Sequence, residues 1–163
     1  MITLQFGASN TPLSWLVRAA TGSPWSHVDF VLPDGRLLGA LPGQGVRIHN
    51  QPDTRTIRLQ VDAPPAVLDW ALSQLGKPYD WGGALSAGLR RDWQQEDRWF
   101  CSELVMWAFA QERIRLLRTN DHHRITPGML ALSPLLQEGQ HQNQLQPVAQ
   151  LAQGEPPAWW PVS

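Results

Sequence analysis

The sequence contains one cysteine in 163 residues. A single thiol cannot close an internal disulfide, which excludes a secreted scaffold held together by disulfides and leaves the thiol free for chemistry. Charge is scarce and balanced, with 13 Lys and Arg against 14 Asp and Glu, so the sequence predicts no nucleic-acid partner. No apolar run approaches the roughly 18 to 20 residues that span a bilayer. We therefore expect no transmembrane segment.

The first twenty residues also lack the pattern of a secretory signal. Such a signal needs a basic segment followed by an uninterrupted apolar one, and here the apolar sequence is interrupted by Gln5, Ser9, Asn10, Thr11 and Pro12. We therefore expect a cytoplasmic protein, or one that is released by a phage or a secretion apparatus. The length is about that of one domain.

Patterns typical of strands dominate the first 61 residues, and patterns typical of helices dominate the rest. Apolar residues alternate or cluster between turn signals in five stretches, at residues 2–6, 27–32, 36–41, 45–49 and 56–61. The last four predict an antiparallel meander or small barrel. Helical spacing recurs at residues 13–20, 67–75, 100–108 and 129–137. Asn10-Thr11-Pro12 and Thr126-Pro127 supply cap and first-turn candidates for the first and last of these helices, and Gly22 ends the first. Asp97 is a candidate cap of the third. This order predicts an α+β domain over residues 1–136, with a short antiparallel sheet packed against helices.

The remainder, residues 137–163, is rich in Gln and poor in apolar residues. This composition predicts a solvated C-terminal tail. Its end reads PPAWWP, and we expect that segment to pack back on the domain in part.

Residues 98–107 read RWFCSELVMW and put the only cysteine, Cys101, at the start of a predicted helix. A thiolate is the nucleophilic form of cysteine, and both a helix N-terminus and a neighbouring histidine favour it. We favour His27 as that neighbour, because it begins an apolar strand that can hold an imidazole rigidly. His122, His123 and His141 lie in loop-like or Gln-rich sequence instead. An inert buried thiol with an unrelated strand-end histidine is the alternative.

Three motifs resemble those of the NlpC-type papain-like cysteine peptidases, which cleave bacterial cell-wall peptides. GKPYDWGG at 76–83 is similar to a G-x-P-Y-x-x-G-G motif, and WFCSELVMWAF at 99–109 is similar to the nucleophile motif C-S-x-L-V. SHVDFVLPDGRLLGALPGQGVRI at 26–48 resembles the histidine region of the same family. Here the histidine region comes first, as in the circularly permuted branch. The resemblance implies a permuted papain-like fold with its nucleophile at a helix N-terminus.

This resemblance also implies roles for individual residues. Cys101 matches the nucleophile, His27 the general base, and Tyr79 a tyrosine near the nucleophile that helps to bind the oxyanion. The implied reaction is amide hydrolysis through a thioester, with no cofactor and no metal, on a peptide of the bacterial cell wall. The residues around the motifs are our candidates for substrate binding: Trp25, Ser26, Asp80, Trp81 and Ser102.

The chain departs from the family at the third polar residue, which orients the imidazole. That position is Gly39 here, and glycine has no side chain with which to do so. Asp29 lies on the same strand face as His27 by the two-residue period of a strand, and His49 lies one strand further on, so either is a candidate orienter. The departure also favours, as an alternative, a binding module without turnover.

Two further interpretations bear on the ligand. The sequence Asp121-His122-His123 does not predict a metal site, because adjacent histidines point in different directions and no further ligand spacing accompanies them. Permuted relatives of the family include lipid acyltransferases and lipases, which use the same Cys-His pair on ester bonds. A pocket lined by Trp25, Trp81 and Trp99 with an apolar floor would indicate an acyl substrate, whereas a polar groove with arginines would indicate a peptide.

Overall fold

The computed structural model describes residues 1–50, 53–80, 98–119 and 125–138. Within these ranges the strands are β1 (Ile2–Ala8), β2 (His27–Val31), β3 (Leu37–Leu41), β4 (Gly45–His49), β5 (Arg55–Val61) and β6 (Gln137–Glu138). The helices in the same ranges are α1 (Pro12–Thr21), α2 (Ala66–Leu72), α3 (Cys101–Gln111) and α4 (Pro127–Ala131). The predicted α+β class is confirmed, and the permuted papain-like arrangement stays a prediction.

The strands form one antiparallel sheet in the order β4-β3-β2-β1-β5-β6. The predicted meander is confirmed for β2, β3 and β4, which pair in succession. It is wrong for β5, which pairs with β1 instead, from Ile2 opposite Val61 to Ala8 opposite Arg55. In the part of the chain that the structure describes, the sheet is open and does not close into a small barrel. Because β1 is paired along both sides, it is more deeply buried than its alternating sequence predicted.

The two faces of the sheet differ sharply in polarity. Even-numbered residues of β1, β2 and β3 face the helices and are fully buried, namely Leu4, Phe6, Val28, Phe30, Leu38 and Ala40. The rings of Phe30 on β2 and Phe109 on α3 stack with centroids 6.1 Å apart, which joins the sheet to the helix. Odd-numbered residues point to the other face, where the polar residues Gln5, His27 and Asp29 lie near one another.

Helix ends follow the signals in the sequence at α1 and α4. Thr11 caps α1, its hydroxyl accepting a hydrogen bond from the Ser14 N–H at 3.2 Å, and the helix ends at Gly22 with a φ of 63°. Thr126 caps α4 in the same way, by accepting from Met129 at 3.2 Å. The caps predicted at these two helices are therefore confirmed.

Helix α2 ends at Leu72, before the predicted residue 75. The segment that follows is tied to β4: the Val46 N–H donates to the Lys77 carbonyl at 2.8 Å, and the Gly76 N–H donates to the Val46 carbonyl at 2.9 Å. Gly45 has a φ of 73°, and a Cβ there would lie 3.2 Å from the carbonyl carbon of Lys77. Glycine therefore permits this close approach, which fixes the chain that leads to Tyr79.

Gln137 and Glu138, the first residues of the predicted tail, pair with Gln60 and Leu59 in the sheet. The remainder of that tail lies outside the described residues, as does Asp97, which the sequence suggested as a cap of α3. No helix in the described ranges has the length and apolar character needed to cross a membrane.

Candidate active site

His27 and Asp29 are neighbours on the polar face of β2. Nε2 of His27 lies 2.8 Å from Oδ1 of Asp29, which is within hydrogen-bond range, although the pair lacks the alignment of a regular hydrogen bond. The Asp29 side chain is 1% exposed and the His27 side chain 16% exposed. The carboxylate is therefore enclosed, while one edge of the imidazole reaches solvent.

Cys101 is the first residue of α3, as the sequence predicted. Its side chain is buried, and it lies near enough to His27 for its charge to raise the pKa of the imidazole. Because Nε2 of His27 faces Asp29, we infer that Nδ1 is the nitrogen that faces the thiol. The backbone turns into the helix at Phe100, whose N–H donates to the Glu103 carboxylate at 3.1 Å. The structure thus brings together the predicted cysteine, the predicted histidine and both predicted orienters, with Asp29 next to His27 and His49 next to Asp29.

Gly39 makes room for the Asp29 carboxylate. Continuing the β2–β3 register from Phe30 opposite Leu38 puts Gly39 opposite Asp29. A Cβ on Gly39 would overlap Oδ1 of Asp29 and lie 2.9 Å from its Cγ. The carboxylate therefore extends over the backbone of β3, and His49 approaches from β4 until its Nε2 is 3.5 Å from the same oxygen. Without a glycine on the intervening strand, these residues could not meet.

A second strand glycine has the same function on the other side of His27. Gly7 pairs with His27, and a Cβ on Gly7 would overlap the carboxylate of Asp53 and lie 3.1 Å from its Cβ. Burial raises the pKa of Asp53, and the charge of Asp29 raises it further, against the opposing effect of His27 and His49. Sequence reasoning missed Asp53. The available signal was a glycine inside a strand pattern, which marks a close approach of other atoms.

Electrostatics favour the charged form of the His27 imidazole. Burial alone would lower the pKa of His27, but the charges of Asp29 and Cys101, and the close polar contacts with both, raise it well above the ordinary value. Burial would likewise raise the pKa of Asp29, but the charge and hydrogen bond of His27, assisted by His49, lower it to about 2. Asp29 is therefore ionised at neutral pH.

Tyr79 lies beside the start of α3. Its ring meets that of Phe100 edge to face, with centroids 6.1 Å apart, and its backbone bridges to Trp99. Burial raises the pKa of Tyr79 strongly, and the negative charges of Cys101, Asp80 and Glu103 raise it further. The phenol therefore keeps its proton and can act as a hydrogen-bond donor.

A pocket of about 550 Å³ opens beside the imidazole. One wall is the N-terminal part of α1 with Ser9, Thr11 and Ser14, and the opposite wall is the β3–β4 turn with Pro42 and Gln44. Its lining also includes His27, Asp29, His49, Asp53, Tyr79 and Ser26. The pocket is thus lined by hydroxyl groups as well as apolar surface, and it borders the candidate catalytic residues.

The predicted substrate-binding residues occupy different places. Ser26 lines the pocket, and its hydroxyl lies 2.6 Å from that of Ser14. Trp25 packs against the core, and the Asp80 N–H donates to the Trp99 carbonyl at 3.0 Å. Ser102 is fully buried and donates to the carbonyl of Ile125. Trp81, His122, His123 and His141 lie outside the described residues.

Comparisons with known proteins found similarity in sequence over part of this chain and similarity in structure over most of it. No family model matches it. A stretch of 51 residues, 31% of the chain, is 47% identical to proteins described as probable endopeptidases of Mycobacterium bovis and Mycobacterium tuberculosis, and it spans 11% of their length. The metalloprotein YiiX of Escherichia coli O157:H7 has a similar structure, with a TM-score of 0.62 and 17% identity over 85% of this chain and 94% of that one. Part of this chain is therefore related in sequence to probable endopeptidases, and its fold is that of the Escherichia coli protein.

Proposed function

We propose that this protein is a cysteine hydrolase that cleaves amide bonds in peptides. Cys101 is the nucleophile, His27 the general base, and Asp29 the residue that positions His27. The observation that carries the proposal is the position of the His27 imidazole, which lies near enough to Cys101 to be influenced by its charge and has its Nε2 2.8 Å from the buried Asp29 carboxylate. An activated nucleophile, a base within reach and a group that orients the base are the requirements for acyl transfer.

In the proposed acylation, His27 takes the proton of Cys101 and the thiolate attacks the carbonyl carbon of the substrate. The tetrahedral intermediate then collapses, the C–N bond breaks, and His27 returns the proton to the departing amine. A water molecule, deprotonated by His27, attacks the resulting thioester and releases the acid and the free thiol. Throughout, Asp29 holds the imidazole in one tautomer and balances its positive charge.

Two donors are suited to stabilise the oxyanion that forms in both steps. One is the backbone N–H of Cys101, since the first N–H groups of a helix have no partner within the helix. The other is the hydroxyl of Tyr79, which keeps its proton and is near enough to Cys101 for the charge of that residue to raise its pKa. Each donor of this kind contributes about 10²–10³ in rate in serine hydrolases.

A peptide is favoured over a lipid acyl chain as the substrate. Neither Trp25 nor Trp99 belongs to the pocket lining, in which hydroxyl groups and Gln44 lie beside a larger apolar surface. The sequence match to probable endopeptidases points in the same direction, and the motif resemblance suggests a bacterial cell-wall peptide. An ester hydrolase or acyltransferase with the same Cys-His pair is the alternative.

The test is to incubate the protein with muropeptides from purified peptidoglycan and to search by mass spectrometry for new amino and carboxyl termini. Cys101→Ala and His27→Ala are the inactive controls. In parallel, p-nitrophenyl esters of short and long acyl chains test the alternative. Cleavage of peptides that is lost in both variants supports the proposal. Turnover of the long-chain ester alone would instead support a lipid ester as the substrate. If neither class is cleaved and the Cys101 thiol reacts with iodoacetamide no faster than free cysteine, the proposed chemistry is wrong.

A further inference from the structure

Three groups that bind transition metals converge behind the His27 imidazole. One ligand atom each from His27, Asp29 and His49 lies within 4.8 Å of the other two. Oδ1 of Asp29 is 2.8 Å from Nε2 of His27 and 3.5 Å from Nε2 of His49. The two imidazoles belong to β2 and β4. Both can approach Oδ1 of Asp29 because Gly39, on the strand between them, has no side chain.

The burial of these atoms makes a cation favourable. Nε2 of His27 and Oδ1 of Asp29 are both buried, and neither forms a hydrogen bond of regular geometry with any residue in the described part of the chain. A buried polar atom without such a bond costs about 1–3 kcal/mol. A metal ion between the three residues would satisfy both atoms.

The ligand set indicates which ion to expect. Two imidazoles and one carboxylate bind Zn²⁺ in sites that keep a further position open, and imidazole also suits copper and nickel. Ligands bound at roughly 2.1 Å to a tetrahedral ion lie about 3.4 Å from one another. The separations of 2.8 and 3.5 Å lie on either side of that value, and the third pair lies within 4.8 Å.

We propose that His27, Asp29 and His49 bind Zn²⁺ and that the bound ion switches off the thiol chemistry of Cys101. The second half rests on the proposed function. In the metal-free site, His27 holds a proton on Nε2 toward Asp29 and accepts the thiol proton at its other nitrogen. An ion between Nε2 and Oδ1 replaces their 2.8 Å contact, which orients the ring toward the thiol, and holds Nε2 on the ion instead.

Binding is measured with the chelator-treated full chain, by competition for Zn²⁺ against a chromophoric chelator. The test variants are Asp29→Asn and His49→Gln. Two controls are Cys101→Ser, which removes the thiolate as a ligand, and Asp34→Asn, which removes an exposed carboxylate on the β2–β3 turn. All proteins carry His122→Gln, His123→Gln and His141→Gln, so that these histidines cannot contribute.

We expect one Zn²⁺ per chain, unchanged affinity in both controls, and affinity at least about tenfold weaker in the two test variants. Unchanged affinity in Asp29→Asn and His49→Gln, or loss of binding in Cys101→Ser, overturns the site. If circular dichroism shows that the test variants do not fold, the absorption spectrum of Co²⁺ bound to the parent protein tests the site instead. A spectrum of nitrogen and oxygen ligands supports the site, and a thiolate-to-cobalt charge-transfer band refutes it.

The inhibitory effect is read from the rate at which iodoacetamide alkylates Cys101. Stoichiometric Zn²⁺ should slow alkylation in the parent protein, a chelator should restore it, and His49→Gln should be insensitive to the ion. Zinc binding without any change in alkylation overturns the switch and leaves the site intact. Slow alkylation in the metal-free protein refutes the proposed hydrolase instead, so the two failures are distinguishable.

Discussion

Replacing Gly39 with alanine adds one methyl group at the point where β3 passes beneath the Asp29 carboxylate. The new Cβ would overlap Oδ1 of Asp29 and lie 2.9 Å from its Cγ. Gly39 does not have a positive φ, so the substitution adds no backbone strain and acts through this contact alone. The carboxylate must move away, and the 2.8 Å contact with Nε2 of His27 is lost with it.

Two effects of different size should follow. Overpacking of this kind costs about 1–3 kcal/mol in the free energy of unfolding, which urea denaturation measures. Removal of the orienting carboxylate from a serine triad lowers turnover by about 10⁴. For Gly39→Ala we expect the rate of Cys101 alkylation at neutral pH to fall at least about 100-fold, because the imidazole is no longer held toward the thiol.

The matched control is Gly128→Ala. Its Cβ would overlap the side chain of Ser23, again without a positive φ, and Ser23 is absent from the lining of the pocket. This variant should lose stability and keep the alkylation rate. If Gly39→Ala also keeps the rate, the idea that Asp29 positions His27 is refuted. Combining Gly39→Asn with Asp29→Ala moves the polar group to β3, where the family resemblance puts it, and should restore part of the rate.

Three other predictions concern single groups. Tyr79→Phe should lower the rate of peptide cleavage by about 10²–10³ if its hydroxyl binds the oxyanion, with little change in KM, and an unchanged rate would exclude that role. Thr11→Ala should cost about 1 kcal/mol in the free energy of unfolding through loss of the α1 cap, measured by urea denaturation, while the control Thr54→Ala, at an exposed position outside the helices, should not. The pKa of Asp29 is depressed to about 2, so its contribution to the free energy of unfolding is fully present above its unfolded pKa of about 4. That contribution should fall by about 2 kcal/mol as the pH drops through 2. Urea titrations in the presence of a chelator should show this loss of stability in the wild type and not in Asp29→Asn.

Local signals in the sequence were sufficient for most of the elements. The Thr11-Pro12 pair and Gly22 marked both ends of α1, and alternating apolar residues marked every long strand. The position of β5 in the sheet was not predictable in this way, because its alternating pattern predicts a strand but does not indicate which strand it pairs with. Pairing with β1 depends on burying the apolar faces of both strands, which is a long-range effect.

The candidate site shows the same division between local and long-range information. Cys101 and His27 stood out by their sequence context, and Asp29 followed from the period of a strand. Gly39, however, was interpreted as the loss of the orienting side chain. A sequence shows that glycine has no side chain, but it does not show which other residue occupies the space beside it. The Asp29 side chain that fills it belongs to the neighbouring strand. Asp53 was missed for the same reason, as only its contact with Gly7 reveals it.

The stacked rings of Phe30 and Phe109 have a consequence for the chemistry as well as for the core. The thiol belongs to a helix and the imidazole to the sheet, so the packing of the helix against the sheet contributes to the distance between sulfur and nitrogen. Phe30 directly follows Asp29 in β2, and Phe109 lies eight residues, about 12 Å, along α3 from Cys101. Core volume thus serves as the spacer of a reactive pair. A substitution of an apolar side chain, such as Phe109→Leu, would therefore change the reactivity of the Cys101 thiol without replacing any polar residue.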